Sequence, residues 1–246
     1  MQLDPLPAEA ELDAAYAETE SGDYIGEEAG QRRTAAETLA AIERVREPGA
    51  LLDIGCWVGF LLAEAERRGW RGVGVEPSEF AARHARERLD LDVRTAGLFD
   101  AELPEGGFDA VVLADVIEHL PDPGAALDRI AALATPGAAV ALALPNASSK
   151  VARLLGARWW SVIPTHVQYF TRASIVTLLG RHDYEVVSID TAPKWFSVGY
   201  YLERIAGYSP ALARLVVGAA RGLGLADRLV APDFRDRMLV VARTPR

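Results

Sequence analysis

From Leu51 onward, short apolar runs alternate with stretches whose apolar residues recur at helical spacing, the pattern of βα units stacked on a mostly parallel sheet. The runs at 51–54, 72–75, 92–95, 110–114 and 139–144 are read as five strands. Between them, Ser78 is placed to cap a helix over 79–89. Asp122 followed by Pro123 opens a helix with Leu127, Ile130, Ala131 and Ala134 on one face. Gly69 is expected to close the first βα helix in a left-handed conformation, and Gly137 to punctuate the turn into the fifth strand.

The alternation pauses over 146–170, a span with Trp159, Trp160, Pro164 and His166 that is too long for an ordinary connection and reads as a substrate loop. It resumes with a helix over 171–181, whose Ile175, Leu178 and Leu179 share a face, and strands over 185–190 and 237–242. Between those strands, 191–236 shows helical spacing of Tyr200, Tyr201, Ile205, Leu212, Leu215, Val216 and Leu223 with arginines interleaved, and reads as a helical insertion. An amphipathic helix over 32–45 leads the domain. The expected organisation is one domain: an N-terminal helical segment 1–48, a cofactor-binding core 49–145, the substrate loop 146–170 and the cap 191–236.

Composition narrows the class. With 246 residues, half of them hydrophobic and a quarter charged, the chain fits one sizeable folded core and excludes a disordered or low-complexity protein. The net charge of −9 speaks against a chain-wide grip on nucleic acid and for small-molecule chemistry. Cys56, the single cysteine, excludes an intrachain disulfide and a cysteine zinc cluster, and reads as a small buried hydrophobe. The segment 1–13 holds four acids and two prolines with no apolar centre, and no stretch approaches membrane-spanning length, so a cytoplasmic location is expected.

The stretch 51–62 runs from a buried strand through a glycine turn into a helix. Gly55 and Gly59 allow the backbone to approach a ligand beyond the strand ends. Glu76 closes the second strand at the distance where a carboxylate accepts ribose hydroxyls, and Asp115 is a further acidic strand end. A pyrophosphate-binding turn would need glycine where Trp57 and Phe60 stand, and Asp53 would repel a pyrophosphate while suiting a cationic or amine-bearing ligand. A nicotinamide oxidoreductase is therefore disfavoured.

These residues resemble the class I S-adenosylmethionine-dependent methyltransferases. Asp53-x-Gly55-x-Trp57-x-Gly59 is similar to their first motif, Gly74-Val75-Glu76-Pro77-Ser78 to the ribose-binding strand end, and 108–112 with 115–123 to the fourth-strand motif. Pro136-Gly137 and Pro145-Asn146 resemble the fifth strand and its exit. Arg158-Trp159-Trp160 with 164–171 is similar to a branch acting on sugars, quinol precursors and natural-product scaffolds. The resemblance implies a Rossmann-like three-layer α/β sandwich with a seven-stranded, mostly parallel sheet whose last strand is antiparallel. It also implies S-adenosylmethionine as cofactor and S-adenosylhomocysteine as product. Asp53, Gly55, Cys56, Trp57, Gly59, Glu76, Pro77, Leu98, Phe99 and Asp115 would hold the cofactor, with Tyr24 lying over it. The chain departs from the family at Trp57, where a glycine is usual, and at Gly97-Leu98-Phe99, where many relatives carry an acid.

Moving a methyl group to a hydroxyl requires a base. Of four histidines, His84 reads as solvated on its helix, His182 as a helix cap, His166 as the candidate base and His119 as its competitor. Asn146, Trp159, Trp160, Tyr169, Trp195 and Tyr200 are expected to bind the acceptor, and no metal is expected because no ligand pattern stands out. The insertion's Arg204, Arg214, Arg221 and Arg228 leave a homodimer contact, a membrane surface and an anionic substrate all open. The expected activity is O-methylation of a sugar or secondary metabolite in natural product biosynthesis. N- or C-methylation and a non-catalytic cofactor-binding partner subunit are the alternatives.

Overall fold

The structure, a computed structural model, describes residues 25–204 and 209–246. Tyr24 and Ile205, both used in the sequence reading, lie outside the described residues. The chain runs α1 (Glu28–Glu43), β1 (Ala50–Ile54), α2 (Phe60–Arg67), β2 (Arg71–Glu76), α3 (Glu79–Leu89), β3 (Val93–Thr95) and β4 (Phe108–Ala114). A 3₁₀ turn at Ile117–His119 leads to α4 (Pro123–Leu133), β5 (Ala134–Pro145), α5 (Lys150–Leu155), α6 (Arg172–Arg181) and β6 (Glu185–Thr191). The insertion adds β7 (Phe196–Ser197), α7 (Val198–Glu203), α8 (Pro210–Gly222) and β8 (Leu229–Val230), and β9 (Arg237–Arg243) follows.

Seven strands form one sheet in the order β3-β2-β1-β4-β5-β9-β6. The last strand is antiparallel, as expected, and it slots between β5 and β6, antiparallel to both. The central strands are covered on both faces, which explains their near-continuous apolar runs. Leu52, Ile54, Val111 and Leu113 face a core shared with Leu127 and Ile130 of α4 and Ile175 and Leu179 of α6. Leu51, Ala110 and Val112 face the opposite core, filled by Leu39 and Ile42 of α1, Leu62 and Ala65 of α2, and Ala82 and Ala85 of α3.

The caps read from the sequence are present: Ser78 accepts from Ala81 N, and Asp122 from Ala125 N. Several boundaries differ. β5 begins at Ala134 rather than 139, because pairing with β4 steps from Phe108↔Ala134 to Ala110↔Ala139 across a bulge. Gly137 sits in that bulge at φ +73°, a left-handed conformation suited to glycine. The first helix starts at Glu28 rather than 32. The span 146–170 is not a plain loop: Ser149 caps α5, and a 3₁₀ turn at Gly156–Arg158 follows. The insertion is helical in α7 and α8, with a two-stranded β7–β8 ribbon at its base. Among the described residues, no helix is long and apolar enough to cross a membrane.

Candidate functional site

The carboxyl ends of β1, β2 and β4 meet above the sheet, where an open α/β fold binds its ligand. Leaving β1, the chain turns through Gly55 (φ +68°), Trp57 (φ +49°) and Gly59 (φ +86°) into α2. A Cβ on Gly55 would stand 2.5 Å from Val116 Cγ2, so only glycine fits there without displacing the Val116 side chain. Glu76 holds the turn: its Oε2 accepts from Trp57 N at 2.9 Å and its Oε1 from Ser78 N at 2.8 Å. Each carboxylate oxygen keeps a further lone-pair site for a ligand hydroxyl. Asp53, opposite Gly74 in the neighbouring strand, is buried in the same negative field. Burial, then the charge of Glu76, pushes its carboxyl well up. Burial also raises Glu76, and the two backbone N–H bonds partly offset it.

Two buried acids beside a narrow glycine turn repel an anion and favour a ligand that brings positive charge and hydroxyl donors. S-adenosylmethionine meets that description with its ammonium, sulfonium and ribose. Cys56 is buried in the core between β2 and α2, and burial followed by the charges of Asp53 and Glu76 pushes its thiol well up, so it acts as an inert hydrophobe. Trp57 adopts a left-handed backbone, and its indole packs toward Phe80, with ring centroids 6.5 Å apart, beside Ile25 and Leu89. Its buried Nε1 has no hydrogen-bond partner among the described residues. Pro77 and Phe99 are exposed and Leu98 is buried.

On the acceptor side, Asp115 leaves β4 at φ +59°. Its Oδ2 lies 2.6 Å from Lys194 Nζ and its Oδ1 2.5 Å from Arg237 NH2. Burial alone would raise this carboxyl, but the guanidinium and ammonium reverse the effect and hold it well below the usual carboxylate range. The resemblance implies Asp115 as a cofactor ligand; in the structure both of its oxygens meet cations of this chain.

Three residues further on, Glu118 is 1% exposed and neither carboxylate oxygen has a hydrogen-bond partner among the described residues. Burial, then the charge of Asp115, pushes it up to about 8. The two histidines singled out by the sequence stand beside it, with ring centroids 4.6 Å apart. His119 Nδ1 lies 2.8 Å from Thr165 O and His166 Nδ1 2.8 Å from Ser161 O. A backbone carbonyl can only accept, so both rings carry their proton on Nδ1 when neutral. His166 Nε2 then faces Glu118 Oε1 at 4.0 Å with a lone pair available. Burial lowers His119, and burial followed by the neighbouring His119 lowers His166 to about 4, so both rings are neutral at physiological pH. One ligand-type atom from each of Glu118, His119 and His166 lies within 4.8 Å of the others. The sequence shows no ligand pattern here, and it is the fold that brings His166 beside the adjacent pair Glu118 and His119. Glu118 was missed because one acid after a strand end reads as solvated. Its one sequence signal is the adjacent histidine.

The expected acceptor-binding residues divide. Trp160 is exposed and meets Phe234 edge to face at 5.6 Å. Trp159 and Tyr169 are buried in a small cluster with Ala152, and Trp159 Nε1 donates to Asp236 Oδ2. Asn146 Oδ1 accepts from Ser148 N and Oγ, shaping the loop after β5. Trp195 donates from Nε1 to Glu37 beneath the Arg33 guanidinium, and Tyr200 stacks on Phe196. These contacts give Trp159, Asn146, Trp195 and Tyr200 packing partners of their own. His182 Nδ1 lies 2.6 Å from Asp128 at the end of α6, and His84 is half-buried on α3, both away from the cluster.

Residues 27–189 match the family model described as a methyltransferase domain. A ubiquinone biosynthesis O-methyltransferase of Nitrobacter winogradskyi is 37% identical over 105 residues, which cover 41% of this chain and 40% of that protein. The match therefore spans less than half of that relative's length. Among solved structures, the methyltransferase in complex with the Haloferax volcanii Trm112 methyltransferase activator superposes with a TM-score of 0.66 at 19% identity, covering 96% of this chain and 98% of that one. A Burkholderia thailandensis 1,6-didemethyltoxoflavin-N1-methyltransferase, bound to that compound and S-adenosylhomocysteine, gives 0.62 at 18% identity over 100% of this chain and 94% of that one.

Proposed function

The chain belongs to the class I family of S-adenosylmethionine-dependent methyltransferases, and from that premise we propose that it methylates a hydroxyl oxygen of a small molecule, a sugar, quinol precursor or secondary metabolite. The observation that carries this reading is the buried Glu118 carboxyl facing His166, with both nearby imidazoles neutral and held by backbone carbonyls. When bound, S-adenosylmethionine supplies a methyl group on a positively charged sulfur, so the protein has to align the acceptor and take its proton. Asp53 and Glu76 receive the positively charged, hydroxyl-bearing ligand over the glycine turn. His166 takes the hydroxyl proton on Nε2. Above about pH 8, where Glu118 is ionised, its carboxylate favours the imidazolium so formed. A neutral amine needs little help from a base, so this arrangement favours oxygen over nitrogen acceptors. The O-methyltransferase name of the curated relative supports the same reading.

The test is methyl transfer from labelled S-adenosylmethionine to a panel of phenols, catechols and sugars, and to the matching amines. His166→Ala is expected to lower kcat/KM on hydroxyl acceptors about 100-fold while leaving S-adenosylhomocysteine binding intact. Equal losses on amines and hydroxyls would overturn the base assignment. A second reading is favoured by the unpartnered oxygens of Glu118: with His119 and His166 they make an N,N,O donor set fitting a divalent transition metal. Activity abolished by chelation and restored by a divalent cation would select this reading, with the histidines as ligands rather than bases.

A further inference from the structure

Helix α1 is shaped to receive the first residues of the insertion. Gly30 is buried, and a Cβ on it would stand 2.3 Å from Trp195 O, so the missing side chain is the room that 195–196 occupy. Thr34 Oγ1 accepts from Trp195 N at 3.0 Å, and Glu37 accepts from the Trp195 indole at 2.7 Å. Glu27, just before α1, accepts from both Ser197 N and Ser197 Oγ at 2.7 Å. These bonds fix 195–197, and the side chain immediately before them is Lys194, whose Nζ lies 2.6 Å from Asp115 Oδ2. Arg237, on the other oxygen of Asp115, has its place from the sheet: it lies on β9 opposite Pro145 of β5.

Asp115 gives the acceptor side of the site its direction. Its N–H still bonds to Ala143 O in β5, its φ of +59° turns the chain out of β4, and the 3₁₀ turn with Glu118 and His119 starts two residues later. A residue other than glycine keeps such a conformation when its surroundings over-determine it. Further on, Glu118 O accepts from Val167 N and Gln168 N, which ties the turn to the segment that carries His166. The upstream end of this hydrogen-bonded unit is Asp115.

We propose that Lys194 is a positioning residue for methyl transfer: acting through Asp115, it sets the direction of the turn that presents Glu118 and His119 beside His166. One cation on one oxygen leaves a carboxylate able to rotate about its last bond, and a second cation on the other oxygen removes that rotation. The contacts run from α1 through 195–197 and Lys194 to Asp115, so the base of the insertion reaches the reacting groups by way of one carboxylate. The inference rests on the reading above in which Glu118, His119 and His166 serve the acceptor.

The test compares the full-length wild type with Lys194→Met and Lys194→Arg, each saturated with S-adenosylhomocysteine, by nitrogen NMR of labelled histidine rings at one pH. The Nδ1 protons of His119 and His166, held by Thr165 O and Ser161 O, report the geometry through their exchange with water. Lys194→Met should speed exchange of the His119 proton about tenfold or more and leave the His182 ring, paired with Asp128, unchanged. Lys194→Arg should restore slow exchange. With catechol as methyl acceptor, Lys194→Met should lower kcat about tenfold while KM for S-adenosylmethionine stays within about threefold. A merely structural ion pair would lower Tm and leave exchange and kcat as they are, which overturns the inference, as does faster exchange that Lys194→Arg does not reverse. His166→Ala, assayed on catechol alongside, separates the two readings. A loss with His166→Ala but not with Lys194→Met defeats the positioning role alone. Unchanged methylation by His166→Ala, with exchange still dependent on Lys194, defeats the base assignment and leaves the positioning of the turn standing.

Discussion

Glu76→Gln tests the cofactor half of the site most sharply, because the carboxylate it removes has two duties. Its oxygens each accept one backbone N–H, from Trp57 and from Ser78. An amide of the same shape offers one oxygen and turns its NH₂ toward the other N–H, so one buried donor loses its acceptor and both contacts lose the charge. Hydrogen bonds to a charged group contribute about 1.5–3 kcal/mol, and an unsatisfied buried donor costs about 1–3, so the ligand-free protein should lose roughly 2–4 kcal/mol. For a chain of this size that is a fall in Tm of about 5–15 °C. S-adenosylhomocysteine binding should weaken by about 10–100-fold through loss of a charged acceptor for the ribose. Calorimetry with S-adenosylhomocysteine and its 2′-deoxy analogue, on wild type and variant, separates the duties. If Glu76 receives the ribose hydroxyl, deleting that hydroxyl weakens binding to the wild type more than to the variant, with a coupling of about 1 kcal/mol or more. Zero coupling would show that Glu76 only shapes the turn. Affinity within about threefold of wild type would refute the assignment altogether.

Trp57→Gly should leave stability within about 1 kcal/mol, because relief of a left-handed tryptophan (about 1–2 kcal/mol) offsets the lost ring contact with Phe80. S-adenosylhomocysteine titration should show affinity retained, and a loss beyond about tenfold would place the indole in the cofactor pocket. Glu118→Gln tests the buried acid through pH. The folded protein keeps the Glu118 proton up to about 8 against an ordinary value of 4.5, so wild-type stability falls as pH rises between them, by at most about 1.4 kcal/mol per unit, and levels off above. Glutamine does not titrate, so thermal melts should show variant minus wild-type Tm growing from about pH 5 to about pH 8. A difference constant across that range would show that Glu118 titrates like a solvated acid.

The seven strands were legible because each interior strand is covered on both faces and writes itself as an apolar run. Glu76 was legible because a strand end fixes its position. The place of β9 between β5 and β6 was not, since alternation reports burial and not neighbours. Ala134 fits equally a helix face and a strand start, which hid the early beginning of β5. The two-residue strands of the β7–β8 ribbon are too short to carry a period. Within the site, His119 and His166 could be chosen by residue type, whereas their partner Glu118 and the hold of Lys194 and Arg237 on Asp115 depend on contacts that only the folded chain makes. Trp159 shows the converse: it was read as an acceptor wall, yet its indole N–H finds Asp236 and the ring is buried with Tyr169.

Lys194 precedes the insertion's β7 and Arg237 opens β9, so the first and last stretches of the excursion meet on one carboxylate, Asp115. Such an excursion behaves as an interchangeable cassette. Its two ends are brought together by the sheet and an ion-pair knot, so each doubling of its length costs only about 0.6 kcal/mol of additional closure entropy. Natural drift or an engineer can therefore rewrite 198–234 while the cofactor cradle at the carboxyl ends of β1 and β2 stays untouched.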